Sequence, residues 1–132
     1  MTVYELIYLQ TYTGEQMMGL FSIFIGVSSA AIIGAYVAGQ QLTRTLAWGI
    51  VFLYSITAAA LTRVRYGFSE QLQELSLDTS EAVIRDGLTL HSWNPDIGSN
   101  FAYSTEAILL AHASIWAAVI FFVFYAKSRL TA

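Results

Sequence analysis

Cysteine is absent from this chain of 132 residues, which excludes disulfides, thiolate catalysis and sulfur-ligated metals. Charge is scarce too: 11% of residues are charged, against about 25% in an ordinary soluble domain. The formal net charge is −3 and no run of Lys or Arg occurs, so there is nothing to neutralise phosphates and no nucleic-acid partner is expected. Patterns for phosphate loops, zinc sites, calcium loops and nucleophile elbows are missing, and no catalytic residue can be named.

What fills the space is apolar. Hydrophobic residues make up 56% of the chain and its mean hydropathy is +0.57. A soluble chain of this length buries only about two-thirds of its surface, too little interior for so much Phe, Ile, Leu and Ala. The sequence therefore predicts an all-α membrane protein with three transmembrane helices at about residues 17–38, 46–62 and 105–126. The first run, from Met17 to Ala38, holds no charge. Glu5 and Glu15 precede it and no basic residue comes before Arg44, which is unlike a cleavable signal peptide, so the N-terminus is expected to be retained. The second run is extended by Leu42, Val64 and Tyr66, with Trp48 and Tyr66 suited to the two interfaces. The third ends in Phe121-Phe122-Val123-Phe124-Tyr125-Ala126-Lys127, an aromatic belt followed by a basic anchor.

Helix starts are marked by Thr43 and Ser104 as caps and by capping boxes at Thr13/Gln16 and Thr2/Glu5. Tyr4, Tyr8 and Tyr12 share a helical face, which predicts a short interfacial helix over 2–12. Residues 64–103 form an extramembrane loop of about 40 residues, too few for an independent domain, so the chain is a single membrane domain. Within that loop Ser69–Leu75 is able to prolong the second helix, Asp78-Thr79-Ser80-Glu81 resembles a fresh cap, and Gly87 ends the turn. Leu88–Trp93 alternates weakly, as a small strand or coil would, before a turn at Asn94-Pro95-Asp96 with Gly98.

Basic residues are balanced, with Arg44, Lys127 and Arg129 on one side and Arg63, Arg65 and Arg85 on the other. The compact, purely basic tail favours the N-terminus outside and the C-terminus in the cytoplasm. Arg63 and Arg65 are expected to pair with Glu70 or Glu74, a structural role outweighing a ligand site. Glu106 at the start of the third span suits the helix dipole.

Ser22, Gly26, Ala30, Gly34 and Ala38 recur every four residues along the first span, a ridge of small side chains that permits close helix contact. The contacting helix is either in the same chain, in a second copy, or in another protein. Ser55 and Ala59 on the second span, and Ala107, Ala111, Ser114 and Ala118 on the third, offer matching small surfaces. Among intramembrane polar residues His112 stands out, near the middle of the third span. Its expected role is a hydrogen bond to Ser114, Ser55, Thr57 or a carbonyl that ties helices together. A haem normally takes two axial ligands and the other histidine, His91, lies in the loop, so no cofactor is expected.

Ala35-Tyr36-Val37-Ala38-Gly39-Gln40-Gln41-Leu42-Thr43-Arg44, with Val3-Tyr4-Glu5-Leu6-Ile7 before it and Leu53-Tyr54 after it, resembles small uncharacterised three-span proteins of bacterial inner membranes over the first half of the chain. The resemblance implies the topology and no activity, cofactor or catalytic residue. Three functions are open: a non-catalytic accessory or scaffold subunit in contact with lipid and with itself or other membrane proteins; an oligomeric pore lined by His112 and Ser114 with Arg63 or Arg65 at its mouth; and a subunit of a respiratory or other redox complex.

Overall fold

The computed structural model describes residues 1–88 and 104–130. They form three α-helices, α1 (Val3–Ala38), α2 (Arg44–Asp86) and α3 (Thr105–Leu130), with a 3-10 turn at Gly39–Gln41 between the first two. All three are long and apolar enough to cross a membrane. The expected strand at Leu88–Trp93, the turn near Pro95 and His91 fall outside the described residues, apart from Leu88.

α1 opens on a complete capping box: Thr2 Oγ1 accepts from the Glu5 amide and the Glu5 carboxylate accepts from the Thr2 amide. That hydrogen bond holds the Glu5 carboxyl below the usual carboxylate range. The tyrosine stripe belongs to this same helix, which runs unbroken for 36 residues, and Thr13 is a buried mid-helix residue rather than a cap. Thr43 caps α2 through the Leu46 amide, and Ser104 caps α3 through the Ala107 amide.

α2 corrects the expected loop. It continues for 43 residues, so 64–86 is helix rather than irregular chain. No new helix starts at Asp78: Thr79 donates back to the Leu75 carbonyl and Ser80 to that of Ser76, hydroxyls satisfied inside a running helix. The end comes at Gly87, whose φ of 61° is left-handed and whose amide bonds back to Val83 and Ile84, a conformation that suits glycine.

α2 folds back antiparallel to α1, so that Val3 and Leu6 meet Ala82 and Val83 at one end and Phe24 and Ala35 share a core with Ala47, Tyr54, Val119 and Val123 further along. α3 returns antiparallel to α2, with Ile108 against Met17 and Leu72 and Phe124 edge-on to Trp48. The inward seam of α1 (Val3, Leu6, Gln10, Thr13, Met17, Phe21, Phe24, Ser28, Ala31, Ala35) advances in alternating steps of three and four, the spacing of a coiled coil. Two consecutive steps of four interrupt it at Thr13–Met17–Phe21, and α2 has the same irregularity at Leu61–Arg65–Ser69. Such stutters locally unwind a supercoil. Here both fall at one level of the bundle, where Arg65 meets Phe21.

Over the apolar stretches the exterior is itself apolar. Phe52, Leu53, Ile56, Ile33 and Leu110 are all exposed, a belt far beyond the scattered apolar patches of a water-soluble monomer.

Candidate functional site

Arg65 is charged, yet its residue keeps only 6% of its surface exposed and it points into the bundle. Roughly 32 Å of helix separates it from Arg44, about the thickness of a bilayer's hydrocarbon. From α3, His112 (4% exposed) meets it: Arg65 Nη1 lies 3.0 Å from His112 Nε2. The other ring nitrogen, Nδ1, is 2.5 Å from Thr62 Oγ1, and the Thr62 hydroxyl donates to the Ala58 carbonyl at 2.7 Å.

Hydrogen-bond accounting fixes the proton. A hydroxyl has one hydrogen, and that of Thr62 is spent on Ala58, so His112 Nδ1–H donates to Thr62. Nε2 is then the acceptor for the Arg65 guanidinium. The imidazole is neutral, and the chain Arg65→His112→Thr62→Ala58 runs in one direction. Phe24 stacks on the imidazole with centroids 4.0 Å apart and rings tilted by 6°, and Phe21 lies 4.3 Å from the Arg65 guanidinium carbon. All three helices thus contribute, with α1 supplying the aromatic faces. Arg65 Nε is buried with no partner, so the site is held by stacking as much as by hydrogen bonds.

The sequence singled out His112, and the structure gives it different partners. Ser55 accepts instead from Trp116 Nε1 at 2.9 Å, Thr57 bonds its own helix at Leu53, and Ser114 faces outward. The expected ion pairs of Arg63 and Arg65 with Glu70 or Glu74 do not form among the described residues. Glu106 is exposed on the first turn of α3. Thr62, Phe21 and Phe24 were missed. One signal was available: Arg65 falls on the inward seam of α2, in register with Ala58 and Leu61.

A second polar contact ties α1 to α2 deeper in the bundle. Ser28 donates to the Phe24 carbonyl at 2.7 Å, and the Tyr54 hydroxyl, 2.8 Å away, donates to Ser28. Beside the Arg65–His112 site an open groove of ≈ 570 Å³ runs between α2 and α3, from Tyr66 and Arg63 to Ser55 and Trp116.

The small-residue ridge lies outside the bundle core except at its Ala38 end, which packs against it. Ser22, Gly26, Ala30 and Gly34 are exposed and only Ala38 is half-buried; a Cβ added at Gly26 or Gly34 would meet nothing within 4 Å. Geometry explains the difference. A four-residue row drifts by roughly 160° between Ser22 and Ala38, whereas the interior contact follows the coiled-coil seam one side over. Ser22, Gly26, Ala30 and Gly34 therefore lie off the seam along which α1 meets α2 and α3.

No protein-family model, curated protein or solved structure matches the chain.

Proposed function

We propose that this protein is a non-catalytic integral membrane subunit, in which a bundle of three membrane spans offers the α1 ridge to a helix of a second copy or of another membrane protein. One observation carries the reading: the bundle closes its core without Ser22, Gly26, Ala30 and Gly34, which leaves a small-residue floor exposed on α1. In lipid such a floor lets a second backbone approach closely and gain dispersion contacts that the hydrophobic effect does not supply between helices. The buried Arg65–His112 tie supports a structural role for the polar centre, since both imidazole nitrogens are engaged and a metal ligand or pore lining would have to break one of those bonds. The outward position of Ser114 also disfavours a lumen inside the bundle.

In this reading the spans cross a bacterial inner membrane with the N-terminus outside. The α1–α2 hairpin beyond Met17 and Leu72 then stands clear of the lipid on the outer side. Association tests the function: purified in mild detergent, the chain is expected as an oligomer or in fixed stoichiometry with other membrane proteins, and Gly26→Leu with Gly34→Leu is expected to dissociate it. A monodisperse monomer that copurifies with nothing contradicts the proposal.

A further inference from the structure

Along one face of α2 the side chains change character in order. Ser55 and Ala59 form a small, largely apolar floor; one turn on stands Arg63, then Tyr66, then Glu70, with successive spacings of three or four residues. The groove between α2 and α3 lies over the first four of these, with Trp116 at its inner end. Arg63 is exposed and makes no ion pair among the described residues. Glu70 stands one turn beyond Tyr66 on α2, and Glu106 one turn outward of Leu109, which lines the groove from α3, so two carboxylates from two helices flank the outer end.

We propose that this groove binds one phospholipid with an ethanolamine-type headgroup: an acyl chain over Ala59 and Ser55, the phosphate at Arg63, and the primary ammonium between Glu70 and Glu106. The proposal rests on the reading of α2 and α3 as membrane spans. Lipid and groove carry their groups in matching order. Outward from the bilayer centre a phospholipid presents hydrocarbon, then negative phosphate, then positive amine; the groove presents apolar floor, then cation, then a carboxylate pair. Arg63 reaches the phosphate level with its aliphatic stem along the groove wall. The charges also choose among lipids: one guanidinium against two carboxylates repels a purely anionic headgroup, and a trimethylated amine has no N–H to donate to Glu70.

Native mass spectrometry of the full chain, delipidated and re-exposed to phosphatidylethanolamine, phosphatidylglycerol or phosphatidylcholine of identical acyl chains, tests this. Retention of phosphatidylethanolamine is expected to exceed that of the other two by about 5-fold, the equivalent of one surface charge contact of about 1 kcal/mol. Arg63→Gln is expected to lower it about 5-fold with Arg63→Lys restoring most of it, Glu70→Gln with Glu106→Gln to erase the preference over phosphatidylglycerol, and Ala59→Phe to block binding. Equal retention of the three lipids, or phosphatidylethanolamine binding unchanged in Arg63→Gln, overturns the site. The same preparations, reconstituted and washed with alkaline carbonate, separate the two failures: a protein that stays in the vesicles without lipid preference loses only this site, whereas one that washes off loses the membrane reading as well.

Discussion

Replacing His112 by alanine strips Arg65 of its hydrogen-bond acceptor and leaves a buried guanidinium whose Nε already has no partner. The lost bond to a charged donor is worth about 1.5–3 kcal/mol in soluble proteins and at most about 1.7 between membrane helices. The lost Phe24–imidazole stack, with centroids 4.0 Å apart, adds about 0.5–1.5 kcal/mol. His112→Ala is therefore expected to destabilise the bundle by about 3 kcal/mol, a roughly 150-fold shift in the folding equilibrium. The charge, not the loss of volume, is the main cause, so removing the charge as well should restore stability. Arg65→Met alone leaves Nε2 without a donor, but Arg65→Met with His112→Leu replaces both members by apolar groups and is expected within about 1 kcal/mol of the native chain. Reversible unfolding in mixed detergent–SDS micelles, followed by circular dichroism, measures these variants, and the native chain, His112→Leu, Arg65→Met and the double variant close a cycle. A coupling energy near 2 kcal/mol is expected; single-mutant effects that add to within about 0.5 kcal/mol would refute the direct interaction.

Thr62→Val removes the acceptor for His112 Nδ1–H and is expected to cost about 1–2 kcal/mol in the same assay, with Thr62→Ser close to native. Gly26→Leu is expected to leave monomer stability within about 0.5 kcal/mol, since nothing lies within 4 Å of the added carbon, while weakening association measured by fluorescence transfer between labelled copies or by copurification. Gly87→Ala forces a β-carbon into a left-handed turn with φ of 61° and is expected to cost about 1 kcal/mol, visible as faster hydrogen exchange in the last turn of α2. The Glu5 carboxyl, held low by its bond to the Thr2 amide, stabilises the first turn of α1 above the ordinary carboxylate pKa; that stability should vanish as pH falls through the lowered value. Exchange rates at residues 3–6 should then rise, and Glu5→Gln should remove the pH dependence.

Lipid-scale features were legible in the sequence because they depend on runs and periods. Three long apolar stretches give three long helices, and the caps at Thr2, Thr43 and Ser104 and the stop at Gly87 fall where side-chain chemistry puts them. Helix continuity was harder to see. Ser69–Asp86 is polar enough to look like loop, and it stays helical because Leu72, Ser76, Thr79 and Val83 lie on the coiled-coil seam facing α1. Side-chain partners needed the third dimension: the antiparallel registers that bring Thr62 and Arg65 against His112 depend on helix offsets that no local pattern states. The direction of the ridge on α1 is set by the neighbouring seam, which buries Phe24, Ser28 and Ala35 and turns Gly26 and Gly34 outward.

The absence of native cysteine makes the central claim, three helices crossing lipid with α1 and α2 continuing beyond it, directly measurable. Single cysteines placed at exposed sites in membrane vesicles, at Ile33, Phe52 and Leu110 within the spans and at Tyr8, Leu77 and Ile84 on the hairpin, are probed with a water-soluble maleimide. Protection of the first three, and labelling of the last three from one and the same side, is the predicted result. Rapid labelling at Ile33, Phe52 or Leu110, or labelling of Tyr8 and Leu77 sites from opposite sides, would contradict it.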